Sequence, residues 1–181
     1  MRAYYFDNLP GDQRLDHDSG TPVDLEYLRR LGLFLLTIPL DTVWEPEIDQ
    51  IAKQQGYKFR DIMDITKHGL GDHFESSLKM YFTEHMHDEK EIRYILSGSG
   101  FWDIREYQTE EWIRIEVVPG DFLIIPPGIY HRFTLGQSNE IKALRLTKEI
   151  PNYNSHARGL ETDGSSARGQ YLDSLKEILV V

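Results

Sequence analysis

From about residue 80, the chain consists of short runs rich in β-branched and aromatic residues, separated by glycine, proline or charged residues. Six such runs lie between residues 91 and 146, and they read EIRYIL, FWDIR, WIRIEVV, FLIIP, HRFTL and IKALRL. Closely spaced strands without intervening helices favour an antiparallel barrel or sandwich over a parallel α/β sheet. The sequence therefore predicts a mainly β fold with helices at its periphery.

The segments that flank these runs are predicted to mix helices and strands. Residues 24–31 and 46–55 carry apolar residues at helical spacing, and each segment is followed by a glycine. Residues 74–82 show helical spacing too, although the chain must be extended by His85 if that residue binds a metal. The other predicted elements are strands at 3–6 and 34–38, an irregular loop after the first strand, a loop at 151–166 and a closing helix at 167–179.

No internal repeat or low-complexity linker interrupts the 181 residues, so we expect a single domain over residues 1–181. Within it we assign residues 1–79 to N-terminal strands and helices, 80–150 to the metal-binding barrel core, and 151–181 to a C-terminal loop and helix. No long apolar surface stripe stands out, which favours a monomer.

Composition excludes several classes of function. The net charge of −10 argues against nucleic acid and anionic membranes as partners. The absence of cysteine excludes disulfides, thiolate nucleophiles and cysteine-ligated metal clusters. The first residues lack a basic segment followed by an apolar run, so we expect no signal peptide, and no segment is long and apolar enough to span a bilayer. We expect a cytoplasmic protein, with the nucleus as a further location.

Four residues in two separate segments form a candidate metal site. His85 and His87 are one residue apart, so on a strand they project to the same face. Glu91 follows them, and His131 comes some forty residues later. Three imidazoles and one carboxylate suit a divalent first-row metal and leave coordination positions open for water, substrate or oxygen. Alternation along the strand admits Glu89 as well as Glu91, and the remaining histidines (His17, His68, His73 and His156) are interpreted as core or surface residues.

The spacing of these residues distinguishes between the two carboxylates. The first segment reads HxHxxxExxxxxxG from His85 to Gly98, and the second reads GxxxxxPxGxxH from Gly120 to His131. Together they resemble the two signature motifs of the cupin superfamily, whose fold is a small double-sheet β-barrel, or jelly roll. The motif spacing selects Glu91 as the carboxylate ligand. The motif glycines are interpreted as turn positions where a side chain would collide.

Within the cupins, the chain closely resembles the eukaryotic branch of the acireductone dioxygenase family over nearly its whole length. The stretches that carry the resemblance are MRAYYFD at the start, LRRLG at 28–32, EIRYILSGSGFWDIR at 91–105, WIRI at 112–115, GIYHRFT at 128–134 and ARGQYL at 167–172. The resemblance implies an enzyme of methionine salvage that oxidises 1,2-dihydroxy-3-keto-5-methylthiopentene with O2. It implies 4-methylthio-2-oxobutanoate and formate as products with iron, and 3-methylthiopropanoate, carbon monoxide and formate with nickel.

The resemblance also implies roles for individual residues. His85, His87, Glu91 and His131 would bind one Fe(II) or Ni(II) per monomer. Arg93 would be the catalytic arginine of the pocket, and Tyr81, Arg93, Phe133 and Tyr153 would contact the substrate. Tyr153 stands where the family usually has tryptophan.

The residues themselves leave two of these roles open. Arg93 follows Glu91 by two positions and should face the same interior, where it could bind an anionic substrate oxygen or form a structural salt bridge to a core carboxylate. Phe133 could line the pocket or simply pack in the barrel core.

Two other functions use the same ligands. The first is another metal-dependent cupin enzyme, such as a sugar isomerase or a dioxygenase of a different enol, and the second is a non-enzymatic metal-binding cupin. The non-enzymatic hypothesis is the least favoured, because desolvating three histidines and a carboxylate is costly unless an ion compensates.

Overall fold

A computed structural model describes residues 1–148 and 154–179 of the chain, with the side chains of residues 177–179 excepted. Its twelve strands, counted among these residues, form two antiparallel sheets. The seven-stranded sheet contains β1 (Arg2–Phe6), β2 (Asp18–Pro22), β5 (His85–Met86), β7 (Gly100–Arg105), β8 (Trp112–Val117), β10 (His131–Leu135) and β12 (His156–Ala157), in the order β12-β5-β10-β7-β8-β1-β2. The five-stranded sheet contains β3 (Phe34–Thr37), β4 (Phe59–Ile65), β6 (Glu91–Gly98), β9 (Asp121–Ile125) and β11 (Ile141–Thr147), in the order β3-β9-β6-β11-β4.

The helices are short and lie between or after the strands. They are α1 (Leu25–Arg30), α2 (Glu45–Gln55), α3 (Lys67–Leu70), α4 (Phe74–Tyr81), α5 (Leu160–Asp163) and α6 (Ser166–Leu179), with a 3₁₀ turn at Gly71–His73. None of them, within the described residues, is long and apolar enough to cross a membrane. The prediction of a mainly β fold with peripheral helices is confirmed.

The alternation of side chains along β6 shows how the two faces of the five-stranded sheet are used. Ile95, on the same face as Glu91 and Arg93, belongs to the main hydrophobic core, which contains apolar residues from both sheets. Ile92 and Tyr94 point the other way and pack in a second core with residues of α2. The interior between the sheets therefore receives Glu91 and Arg93 together with apolar neighbours.

Local signals explain the helices that the sequence predicts. The Asp24 side chain accepts a hydrogen bond from the backbone N–H of Glu26 and begins α1. α2 ends at Gly56, which has the left-handed φ of 73°. The segment at 74–82 is helical only to Tyr81, and the chain is extended again at His85, as a metal-binding role for that residue requires.

Four elements absent from the sequence prediction are β2, α3, β12 and α5. β2 reads DSGTP and has no buried residue, so it carries no apolar alternation, and its pairing partner among the described strands is β1. β12 contains two residues and forms because its backbone pairs with β5. α5 is a single turn within the predicted loop. Such elements depend on a neighbouring strand or a short turn rather than on periodicity.

Candidate metal centre

Three histidines converge between the sheets. His85 on β5 and His131 on β10 are directly opposite each other in the antiparallel register, which places both side chains on the inner face. His87 follows the end of β5, and its ring centroid lies 5.1 Å from that of His85 and 5.3 Å from that of His131. One nitrogen from each ring falls within 4.8 Å of the others. The structure thus contains a three-histidine site able to hold a metal ion.

The outer nitrogen of each ring faces a backbone carbonyl. The Nδ1 atoms of His85, His87 and His131 lie 2.7, 2.8 and 3.1 Å from the carbonyl oxygens of Thr83, Asn154 and Ile129, respectively. A carbonyl oxygen only accepts, so each Nδ1 carries the proton of the bond. In the neutral imidazole the Nε2 lone pair is then free, and this arrangement is typical of metal-binding histidines.

Glu91 reaches the histidines from the opposite sheet. Its Oε2 atom lies 3.1 Å from Nε2 of His87 and 3.1 Å from Nε2 of His131. Adjacent ligands about 2.1 Å from an ion and at right angles to each other would be separated by about 3 Å, so this spacing fits a coordinated cation. Without an ion, the carboxylate oxygen could lie this close to the two imidazole nitrogens only if each nitrogen carried a proton and donated a hydrogen bond to it. The donor set therefore fits a divalent metal.

The ionisation of Glu91 and His85 favours their ligand forms, whereas the pKa of His87 shifts the other way. Burial alone would raise the pKa of Glu91, but Arg93 and the hydrogen bonds from His131 and His87 hold that pKa well below its usual value. Burial, reinforced by His131, lowers the pKa of His85 to about 4. Burial also acts to lower the pKa of His87, but hydrogen bonding and attraction to Glu91 outweigh it and raise this pKa. At neutral pH the site contains an anionic carboxylate and at least one neutral imidazole.

The other oxygen of Glu91 is held by two donors. The indole Nε1–H of Trp102 donates to Oε1 at 2.9 Å, and Nη2 of Arg93 lies 3.4 Å from the same atom. The Arg93 side chain is 13% exposed, and its Nη1 also donates to the backbone carbonyl of Ile92. Arg93 therefore pairs with the buried carboxylate and also lines the cavity.

The site opens into a cavity of about 440 Å³. Tyr81 and Phe133 meet edge to face on one wall, with ring centroids 6.2 Å apart. Met63 and Ile65 of β4 add apolar surface. Arg145 also lines the cavity and binds Asp61 through two hydrogen bonds of 2.9 and 2.5 Å. The space offers both an apolar wall and cationic groups to a small ligand.

The structure brings most of the predicted site residues together. His85, His87, Glu91 and His131 form the cluster, and Arg93, Tyr81 and Phe133 line the same cavity. Glu89 is exposed at the cavity rim, so Glu91 is the carboxylate that faces the imidazoles. Tyr153 lies outside the described residues.

Sequence reasoning missed Trp102, Met63 and Arg145. Each lies on a strand whose inward face could be recognised only once its neighbours were known. Trp102 is directly opposite Phe133 in the sheet, so the assignment of Phe133 to the pocket was the signal that could have found it.

Two glycines of the motifs occupy the positions that the sequence predicts. Gly98 has a φ of +73°, and a Cβ atom there would lie 2.0 Å from the carbonyl oxygen of Glu140. Gly128 has a φ of +77°, and a Cβ atom there would lie 2.3 Å from the carbonyl oxygen of Ala167. A side chain would collide with backbone at both positions, as expected.

Comparison with known proteins agrees with this geometry. The sequence model of the ARD/ARD' family matches residues 2–154. The chain is 52% identical to acireductone dioxygenase 1 of Coprinopsis cinerea over 172 residues, which cover 95% of this chain and 96% of that protein. It is 44% identical to the acireductone dioxygenase of Sclerotinia sclerotiorum over 178 residues, or 98% of both chains.

A solved structure supports the fold. An acireductone dioxygenase from Bacillus anthracis, with a cadmium ion in its active centre, matches with a TM-score of 0.62 and 21% identity. The match covers 72% of this chain and 86% of that one. The predicted cupin fold is confirmed. With the family model spanning most of the sequence and relatives matched nearly end to end, this chain belongs to the ARD/ARD' family of acireductone dioxygenases.

Proposed function

We propose that this protein is an acireductone dioxygenase of methionine salvage, which oxidises 1,2-dihydroxy-3-keto-5-methylthiopentene with O2. The observation that carries the proposal is the convergence of three imidazoles and one buried carboxylate on a cavity, in a chain whose relatives bear this name. The products would be 4-methylthio-2-oxobutanoate and formate with Fe(II), and 3-methylthiopropanoate, carbon monoxide and formate with Ni(II).

The proposed metal ligands are Nε2 of His85, His87 and His131 and Oε2 of Glu91, with one ion per chain. The backbone carbonyls on the three Nδ1 atoms support this assignment, because they direct the unprotonated nitrogens toward one another. When bound, the ion would polarise adjacent oxygens of the substrate and favour their ionised form. Both candidate metals accept nitrogen and oxygen ligands, so the ligand types do not select between them.

Arg93 is the proposed catalytic residue. Its side chain is 13% exposed and reaches the cavity beside Glu91. A guanidinium stays protonated at any physiological pH and attracts an anionic oxygen more strongly where water is largely excluded. We assign to it the binding of an ionised substrate oxygen and the stabilisation of negative charge that develops there.

Tyr81 and Phe133 are proposed to contact the substrate through the apolar wall of the cavity. The two rings meet edge to face, and Phe133 also packs against Trp102, with ring centroids 4.3 Å apart. Met63 and Ile65 of β4 extend this apolar surface. A flexible thioether chain is a suitable partner, because sulfur packs favourably against aromatic rings. The contact by Tyr153, the monomeric state and the cytoplasmic or nuclear location stay predictions from the sequence.

The test is oxygen consumption with product analysis, using apo-protein reloaded separately with Fe(II) and Ni(II). We expect the keto acid and formate from the iron protein, and carbon monoxide from the nickel protein. A His85→Ala variant is the control, because loss of one ligand should remove the ion and the turnover together. Protein that binds one ion per chain but consumes no O2 with acireductone under either metal would refute the proposed substrate.

A further inference from the structure

We propose that Trp102 is a positioning residue that orients the Glu91 carboxylate toward the three imidazoles. The inference rests on the proposed function, since it assumes that these four residues bind the metal. It concerns a tryptophan that none of the sequence motifs singles out. The hydrogen bond that it donates to Glu91 carries the argument.

The ligands come from two sheets, and among residues 1–148 and 154–179 no strand pairing connects these sheets near the site. His85 and His131 are paired neighbours in the seven-stranded sheet, so backbone hydrogen bonds set their relative position. Glu91 lies on β6, which pairs with β9 and β11 of the five-stranded sheet. In the described part of the chain, no ladder joins β6 to β5 or β10. Besides the short segment that joins His87 to Glu91, side chains that cross the gap therefore contribute to the placement of the carboxylate relative to the imidazoles.

Trp102 crosses that gap from the histidine side. It lies on β7, next to β10, and is directly opposite Phe133, so its side chain shares the inner face of His131. The indole is 1% exposed, and its ring packs against Phe133. Its Nε1–H donates to Oε1 of Glu91 at 2.9 Å. The bond thus ties the carboxylate to the sheet that carries the histidines.

The bond also decides which oxygen faces the site. Oε1 is engaged by Trp102 at 2.9 Å and by Arg93 at the longer distance of 3.4 Å, while Oε2 lies 3.1 Å from Nε2 of both His87 and His131. A bond between a neutral donor and a carboxylate is charge-assisted, and the indole is held rigidly by packing. We infer that Glu91 offers one oxygen to the metal and that the other is kept away from it. A metal held by this oxygen and the three imidazoles would then have further coordination positions for a substrate.

The test is the affinity of the apo-protein for Ni(II), measured by competition with a chelator. Trp102→Phe keeps an aromatic ring against Phe133 and deletes the N–H donor. Loss of a group that orients a ligand weakens metal binding by about 10- to 100-fold, and we expect a decrease in this range. Trp102→Met, which fills the space without a donor, should show a similar loss if the phenylalanine variant fails to fold.

Trp112→Phe is the matched control. Trp112 is also buried and lies on the adjacent strand β8, but it faces away from the metal site and packs on Arg105 instead. This variant should bind Ni(II) as tightly as the wild-type protein does. Equal weakening in both tryptophan variants would overturn the proposal, because the effect would then come from general loosening of the sheet.

A double-mutant cycle isolates the role of the hydrogen bond. In a Glu91→Ala background, Trp102→Phe should have no further effect on Ni(II) affinity, because the carboxylate that it positions is gone. Two results overturn the proposal. The first is a Trp102→Phe variant that binds Ni(II) as tightly as the wild-type protein, and the second is a decrease in Ni(II) affinity on adding Trp102→Phe to the Glu91→Ala protein that is as large as in the wild-type background. A wild-type protein that binds Ni(II) but does not turn over acireductone would refute the proposed function alone, and the affinity comparison would still decide on Trp102.

Discussion

Gly128 connects the segments that carry His87 and His131 to helix α6, and replacing it with alanine should disturb this connection. Its backbone N–H donates to the carbonyl of His87 at 3.0 Å, and its own carbonyl accepts from Nη1 of Arg168 at 3.0 Å. It precedes His131 by three residues. The φ of +77° is left-handed, and a Cβ atom would lie 2.3 Å from the carbonyl oxygen of Ala167 at the start of α6.

The size of the effect follows from these contacts. A left-handed alanine costs about 1–2 kcal/mol. Relief of the contact with Ala167 needs a displacement of about 1 Å, since non-bonded atoms prefer separations of about 3.5 Å or more. That shift weakens the two hydrogen bonds of the Gly128 backbone, one to the His87 carbonyl and one from the Arg168 side chain, for about 1–3 kcal/mol in addition. The sum is about 2–5 kcal/mol, which corresponds to a decrease in Tm of about 4–20 °C in a domain of this size.

Gly56→Ala provides a matched control. Gly56 has almost the same φ, +73°, but no described atom lies within 4 Å of the position that its Cβ would take. This variant should carry only the left-handed cost of about 1–2 kcal/mol. The assay is thermal unfolding of the metal-free proteins by circular dichroism, followed by Ni(II) affinity of each. The same Tm and the same affinity in both variants would refute the reasoning, because the steric contact and the connection to His87 would then have no measurable consequence.

Three further predictions concern the pocket, the core and the surface. Arg93→Met should lower kcat/KM by about 100-fold, because it removes a charge that stabilises the reacting oxygens. The variant should still bind one metal ion per chain, so the check is to measure metal content and kinetics on the same preparation. Asp103→Ala should lower the free energy of unfolding by about 3–5 kcal/mol, because Asp103 is fully buried and pairs with the buried Arg114 at 2.7 Å. The measurement is urea unfolding, and a change below about 1 kcal/mol would contradict this prediction. Hydrogen bonds from Arg14 lower the pKa of Asp12 in the folded protein to about 2. The stability that the ionised Asp12 contributes is therefore fully present above its unfolded pKa of about 3.9 and is lost as the pH falls toward 2. The difference in unfolding free energy between wild type and Asp12→Asn should therefore be constant above about pH 5 and shrink below it, and a difference that grows on acidification would count against the assignment.

Much of the fold could be predicted because the signals are local. The periodic strands between residues 91 and 146, the capped helix after Asp24 and the helix ended by Gly56 all carry their own patterning or terminating residues. β2 and β12 could not be predicted in this way. Their residues have no periodic apolar pattern, and they are extended because a neighbouring strand offers backbone partners.

The candidate ligands also follow from the sequence alone, because the chemistry of metal binding is a property of residue type and spacing. His85, His87 and Glu91 are only a few residues apart, and the motif around His131 is equally compact. Alternation by itself did not decide between Glu89 and Glu91. A bend at residues 88–89 separates β5 from β6, so the face of each carboxylate depends on how the chain enters the second sheet.

The tertiary structure alone decided how the ligands are held. Nδ1 of His87 is bonded to the carbonyl of Asn154, 67 residues away, and Glu91 is bonded to Trp102 across the space between two sheets. These contacts have no sequence pattern, because they join segments that only the packing of the sheets brings together. The sequence by itself determined which side chains are the candidate ligands, since that depends on residue type and local spacing. Only the fold determined how His87 and Glu91 are oriented, since the carbonyl of Asn154 and the indole of Trp102 come from distant segments of the chain.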